Sequence, residues 1–346
     1  MHAKIESTDT VEPCEASAKN LHALRSLPIL VIYAHSSCNC RCVMCDIWKV
    51  RHAKTFTAVD LERQLPSIRR LGVRWVVFSG GEPLMNPELP QLCALLRSEG
   101  IRTTLLTTGL LLQKHAQEVA TSFDDIIVSL DGPPAIHDAI RRVKGAFDLI
   151  ATGIEAVRAI RPGLPITARS TVQKANHAHL RETARAAFRL QLNSISFLSV
   201  DLISPAFNRS LAWPVSQQSE IGLTLTEIST LENEVESLIR EGASEFPPSF
   251  LADSPAKLRR IVRHFRVQLG LVRAESPLCN APWVSAVIET DGTIRPCFFH
   301  SQVGKLNGKT LEEVINGETA IQFRENLDIP NNPTCRNCVC SLNYCT

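Results

Sequence analysis

Cysteine placement constrains this chain more than any other feature. Of twelve cysteines in 346 residues, four lie between Cys38 and Cys45 and six between Cys279 and Cys345, leaving only Cys14 and Cys93 alone. A disulfide framework suits a short exported protein, but this chain is long. Its opening stretch, MHAKIESTDTVEPCEASAKN, lacks the apolar core of a secretory signal. Clustered thiols in a reducing compartment read as metal ligands, and a cytosolic location is expected. Lysine and arginine (37) nearly balance aspartate and glutamate (35), for a formal net charge of +2. Nothing there points to a nucleic-acid binder, because phosphate-backbone affinity needs a clustered cationic surface. The longest apolar run, around Ile29 to Ala34, falls far short of the ~20 residues of a membrane span.

From residue 28 to 200, short β-branched runs alternate with segments of helical period. Strands are expected at Ile29 to His35, Trp75 to Ser79, Ile101 to Thr107, Asp125 to Asp131, Ile166 to Val172 and Ser194 to Val200. Helices are expected at Ala58 to Leu71, Pro87 to Ser98, Leu112 to Thr121, Ala146 to Ile160 and His177 to Leu190. The alternation implies an α/β fold with parallel strands, as an open sheet or part of a barrel. Ligand chemistry is then expected at the carboxyl ends of the strands. Residues 201 to 278 lose the rhythm. Thr224 to Arg240 reads as a helix and a candidate sixth crossover, and Lys257 to Val272 as another helix after a Pro-containing connector. A hairpin turning at Asp291-Gly292 is expected over Val284 to Ile288 and Thr293 to Cys297, then a short helix over Leu311 to Asn316. The closing PTCRNCVCSLNYCT is too poor in apolar residues to hold its shape without a metal. The chain thus divides into an extension (1–27), a core (28–200), a helical connector (201–278) and a cysteine-rich domain (279–346).

The first strand runs into HSSCNCRCVMCDIW, where Cys38, Cys42 and Cys45 have the spacing C-x3-C-x2-C and Cys40 is an extra. Three thiolates from one loop can hold three corners of a cubane iron–sulfur cluster and leave the fourth iron open to a ligand. A structural zinc loop taking its fourth ligand from Cys40 or His35 remains the plainer alternative. The second strand ends in SGGEPL, Ser79 to Leu84, whose glycines permit close approach and unusual backbone angles.

Taken together, these features resemble the radical SAM superfamily. The likeness rests on Cys38, Cys42 and Cys45, on Gly80-Gly81-Glu82-Pro83, and on SLDG (Ser129 to Gly132) followed by HDAIR ending at Arg141. It implies a partial (β/α)6 barrel whose three cysteines ligate a [4Fe–4S] cluster, with S-adenosylmethionine chelating the fourth iron. By the same likeness, Gly80, Gly81, Glu82 and Pro83 would lie near the methionine amino group, and Ser129, Asp131 and Arg141 near its ribose and carboxylate. The plain alternatives are a surface salt bridge for Arg141 and a turn cap for Asp131. Two departures stand out. Met44 occupies the place of an aromatic residue near adenine, where a thioether can still pack on a ring. Thr107-Thr108-Gly109 replaces the T-N-G of many relatives, so Thr108 must act differently from an asparagine.

Cys279 and Cys297 flank the expected hairpin, and Cys335 and Cys338 form a C-x2-C pair followed by Cys340 and Cys345. Four thiolates suit tetrahedral zinc or a [4Fe–4S] cluster. Attached to such a barrel, the segment resembles the SPASM or shorter twitch extensions of radical SAM enzymes. That likeness implies one auxiliary [4Fe–4S] cluster on Cys279, Cys297, Cys335 and Cys338, with Cys340 or Cys345 as substitutes. Cys14 and Cys93 are expected to be inert, Cys93 within a helix.

The resemblance further implies reductive cleavage of S-adenosylmethionine to a 5′-deoxyadenosyl radical and hydrogen abstraction from an unactivated carbon. The outcome would be net oxidation or rearrangement of a small-molecule or peptide substrate. A reductant such as flavodoxin or ferredoxin is expected as partner. The short stretch before the first strand leaves no room for a leader-binding domain, which tilts the expectation toward a small molecule. Trp213, Phe246 and Phe250 either cover the barrel mouth or, as the favoured reading has it, pack an ordinary insert. His300 is a candidate ligand or proton carrier, or a locally bonded histidine. The rival reading is a non-catalytic zinc protein or iron–sulfur electron carrier.

Overall fold

Aliphatic, β-branched runs bounded by polar residues, Gly or Pro form β1 (Ile29–His35), β2 (Trp75–Gly80), β3 (Arg102–Thr107), β4 (Asp125–Ser129), β5 (Ile166–Val172) and β6 (Ile195–Ser199). The computed structural model describes residues 22–209, 212–275 and 277–345; Cys14 lies outside them. Neighbouring strands in this set are parallel and joined by helical segments. Because each strand lies beside its successor, right-handed crossovers place the joining helices on one face. Strand alternation follows: Leu30, Ile32, Val76, Phe78, Ile126, Val128, Ile166 and Ala168 enter the core under the helices. Tyr33, Ser79, Ser129, Arg169 and Thr171 therefore point to the opposite, helix-free face.

The sheet does not stop at six strands. β7 (Ser285–Ile288) pairs in parallel with β1, and β8 (Thr293–Arg295) and β9 (Gly304–Lys305) continue it antiparallel. The order is β6-β5-β4-β3-β2-β1-β7-β8-β9, so the expected hairpin turns at Gly292 (φ +79°) but extends the main sheet. The cysteine-rich domain is fixed to the core elsewhere too. The Leu311 and Glu312 amides donate to Gln64 Oε1 and Ser67 Oγ on the helix Ala58–Arg70, each at 2.7 Å. Asn316 holds Leu24 by two hydrogen bonds, so residues next to β1 are pinned to the far end of the chain.

Several expectations need correction. The helix expected from Leu112 begins at Ala116, after a turn over residues 110–115. The helix Leu225–Glu245 is not a sixth crossover. It packs against Leu180–Arg189 and Pro255–Gln268, while β7 joins the opposite edge of the six-stranded set. The helix Pro134–Arg141, too short to show a period, was not anticipated. Among the described residues no helix is long and apolar enough to cross a membrane.

Removing residues 279–346 would bare the edge of β1, whose ILVIYAH run is a ready template for intermolecular pairing. A chain ending at Leu278 is expected to aggregate on size-exclusion chromatography under conditions that keep the full chain soluble.

Candidate active site

The thiol loop follows β1 directly and is held from three sides. Gly81 donates its amide to His35 O (2.8 Å) and Glu82 to Ser37 O (3.0 Å). From another side, Arg41 and Val43 donate to the carbonyls of Arg141 (3.1 Å) and Ile140 (3.1 Å), at the end of the helix Pro134–Arg141. From the third, Asp46 donates to Phe207 O at 3.3 Å.

The glycines make the first of these contacts possible. A Cβ on Gly81 would meet Ser37 O at 2.0 Å, and one on Gly80 (φ +117°) would meet His35 O at 2.7 Å. The close approach expected of them is therefore made, in this structure, to the backbone of the thiol loop itself.

Three sulfurs each receive an N–H donor at 3.5 Å: Cys38 from the Cys40 amide, Cys45 from the Ile47 amide and Cys42 from Arg141 Nη1. Such donors favour the thiolate. Cys40 differs. The neighbouring thiols of Cys38 and Cys42, then burial, hold it protonated, and its hydrogen bond in turn pulls Cys42 down. Burial pushes Cys45 up to about 12. Three soft ligands with donors and one spectator thiol fit a three-cysteine iron–sulfur site.

Glu82 is fully buried and clamped by Thr107 Oγ1 (2.7 Å) and the Thr108 (2.7 Å) and Leu84 (3.1 Å) amides. Burial raises its pKa and these bonds oppose the rise. Thr108 also donates its hydroxyl to Asn39 Oδ1 at 3.0 Å, so it joins Glu82 to the thiol loop. Pro83 is buried at the start of the following turn. Asp131 and Arg141 form a buried ion pair at 2.6 Å. Neither the surface salt bridge nor the simple turn cap describes them. Asp131 Oδ1 also accepts the Thr171 amide (2.8 Å), and the Asp131 amide donates to His137 Nδ1 (3.1 Å). Arg141 thus spans Asp131 and Cys42. Met44 is half-buried, and its carbonyl accepts from Arg209 Nη2 at 3.0 Å.

Sequence reasoning missed Arg169 and Arg209. Ser129 pairs in register with Arg169, and both lie on the helix-free face. Arg169 Nε reaches Ser196 Oγ at 3.5 Å and has no carboxylate partner among the described residues. Strict alternation in ITARSTV was the available signal. Tyr33, on the same face, has its pKa raised by burial and then by Glu289, and lies within electrostatic reach of both Cys45 and Cys297.

The structure gathers Cys279, Cys297, Cys335, Cys338 and Cys340. Burial, then the surrounding thiols, pushes Cys297 up to about 11 and Cys335 up to about 12. Cys345 is exposed nearby, where Tyr344 bonds Asn280. His300 Nε2 lies 3.2 Å from Cys335 Sγ, with Phe323 against its ring. Among the described residues no group of His, Cys, Asp or Glu is spaced to grip a single ion, as four thiolates on zinc at about 2.3 Å would be. Cys93 is buried within the helix Leu89–Ser98, as expected. Phe246 and Phe250 stack at 4.9 Å beside the amino end of β6, away from the mouth, so the packing reading holds for them. Trp213 instead reaches the thiol loop, donating to Asp46 Oδ2 at 2.8 Å.

A model of the radical SAM superfamily matches residues 32–187, and one of an iron-sulfur cluster-binding domain, SPASM, matches residues 279–339. The chain carries a radical SAM domain followed by a SPASM domain. The first match opens within β1 and takes in the thiol loop, and the second takes in the hairpin and the C-x2-C pair. The Fe-coproporphyrin III synthase of Methanosarcina barkeri is 30% identical over 184 residues, covering 48% of this chain and 45% of that protein. The PqqA peptide cyclase of Ruegeria pomeroyi is 27% identical over 283 residues, 78% of this chain and 67% of that one. The fold is shared with Streptococcus suis SuiB bound to precursor peptide SuiA: TM-score 0.64 at 16% identity, covering 92% and 72% of the two chains. The match thus spans roughly half to two thirds of these curated relatives. A radical SAM domain with a SPASM domain implies a [4Fe–4S] cluster with S-adenosylmethionine and auxiliary iron–sulfur.

Gly81→Ala is expected to cost about 2–3 kcal/mol in denaturant unfolding and to lower iron bound per chain, since its Cβ has no room against Ser37 O. His137 offers a pH signature. Burial lowers its pKa from 6.5 to about 3, so below pH 6.5 only the unfolded chain takes up that proton. Stability should fall by up to about 1.4 kcal/mol per pH unit from this group, and His137→Gln should flatten the slope.

Proposed function

We propose that this radical SAM protein is an enzyme that reductively cleaves S-adenosylmethionine and uses the resulting radical on a small-molecule or peptide substrate. The observation that carries the reading is the loop of three N–H-bonded thiols beside the carboxyl ends of β1 and β2. Cys38, Cys42 and Cys45 would hold the [4Fe–4S] cluster, and Cys40 would stay protonated beside it. When bound, the cluster with S-adenosylmethionine supplies a 5′-deoxyadenosyl radical that removes hydrogen from an unactivated substrate carbon.

This chain's own residues bind, orient and exclude water. Glu82 and the Gly80–Gly81 segment would meet the methionine amino group, with the Glu82 carboxylate fixed by Thr107 and Thr108. Ser129 and the unneutralised Arg169 suit a carboxylate, the more so because Arg141 is already committed to Asp131. Met44 would pack against the adenine. The helix-free face between the thiol loop and the cysteine-rich domain would take the substrate, screened by Tyr33 and Phe298, whose rings lie 6.2 Å apart. Cys279, Cys297, Cys335 and Cys338 would hold one auxiliary cluster, able to accept an electron or to anchor substrate. The Fe-coproporphyrin III synthase and the PqqA peptide cyclase among the relatives support both substrate classes without choosing between them.

Anaerobic reconstitution should give about eight irons per chain, from two cubanes. Dithionite and S-adenosylmethionine should then yield 5′-deoxyadenosine, and Cys42→Ala should abolish it. Cys335→Ala should lose the auxiliary iron while retaining cleavage. Zinc without sulfide, or no cleavage above the Cys42→Ala control, would overturn the assignment.

A further inference from the structure

Residues 201–209 double back over the turn that carries Cys45, Trp213 packs beside them, and one arginine organises the contact. Arg209 is only 6% exposed. Its Nη1 donates to Asp201 Oδ2 (2.9 Å) and the Asp201 carbonyl (3.0 Å), and its Nη2 donates to the Met44 carbonyl (3.0 Å). The guanidinium lies 3.8 Å from the centroid of Trp213, whose indole N–H is bonded to Asp46. Ser204 Oγ donates to the same Asp201 Oδ2 at 2.5 Å, and the Ser204 amide donates to Oδ1 at 3.3 Å. The approach uses left-handed backbone at Phe207 (φ +58°) and Asn208 (φ +65°), which non-glycine residues adopt only where their surroundings fix them. Those surroundings are present: Asn208 donates to the Asp46 carbonyl at 3.2 Å, and Ala206 and Phe207 pack on Phe299 of the cysteine-rich domain.

A guanidinium this far from water persists only when paired; among the described residues Asp201 is the carboxylate that forms an ion pair with it, and Asp46 acts on it from further off. This one is built into the thiol loop.

We propose that Arg209 is a positioning residue for the barrel cluster: it locks the Met44–Asp46 turn in place and holds a fixed positive charge beside the cluster, raising its reduction potential. The inference rests on the radical SAM reading above. Positive charge nearby favours the added electron, and a unit charge about 10 Å away in an effective dielectric of about 20 shifts such an equilibrium on the order of tenfold. Asp201 offsets part of that field, so the two side chains should act in opposite directions.

The test uses the full chain, reconstituted anaerobically, with an EPR redox titration of the signal that changes when S-adenosylmethionine is added. Appearance of that signal in the unmodified protein checks the superfamily chemistry independently; its absence would sink that reading. Arg209→Gln is expected to lower the reduced-to-oxidised ratio at a fixed potential about tenfold. Arg209→Lys, which keeps the charge, should restore it to within about threefold, and Asp201→Asn should raise it. If Arg209→Gln cannot retain barrel iron while Arg209→Lys does, the locking role is supported and Asp201→Asn alone decides the electrostatic one. Equal ratios in Arg209→Gln and Arg209→Lys, or a fall in Asp201→Asn, would overturn the proposal.

Discussion

Two sets of stranded backbone groups satisfy each other at this site, and the rest of the arrangement depends on that exchange. The thiol loop has no ladder or helix of its own, so its amides need acceptors from outside. The helix Pro134–Arg141 ends with carbonyls that lack intrahelical donors. Arg41 and Val43 meet two of them. On the other flank, two glycines let β2 come close enough for its final amides to reach the loop. The loop is therefore shaped by contacts within the protein, and the sulfurs of Cys38, Cys42 and Cys45 each have an N–H donor.

Much of this was legible in the sequence. The six parallel strands followed from β-branched runs alternating with helical periods, and the grouping of thiols on one loop was visible in C-x3-C-x2-C. What could not be read were partners distant in the chain. Nothing local says that Ile288 will lie beside Ile32, since any free apolar strand has the same appearance. The roles of Thr108 and Arg209 are set by contacts with Asn39 and Met44, 69 and 165 residues away in the chain. The Gly80–Gly81 pair was noticed for the right reason, close approach, but attached to a ligand instead of the loop. Arg169 was within reach, because its alternation with core residues in β5 already placed it on the open face.

The two thiol groups are not independent modules. Phe207 rests on Phe299 while its carbonyl holds Asp46, and Tyr33 lies within electrostatic reach of a cysteine from each group. Packing of one group is thus felt at the other through rigid contacts only a few side chains deep.

The pairing of β1 with β7 has a consequence in time. Ile29 leaves the ribosome long before its partner Ser285 exists. At about 5–20 residues per second, the interval is on the order of ten to fifty seconds. Throughout it, the strand that leads into the first thiols lacks a neighbour on one side. Such distant closure also makes for slow folding, because chain entropy is surrendered before the contact is gained. The nascent protein must therefore be kept apart from its copies until the strand beginning at Ser285 has been made and can pair with the segment beside the first thiols.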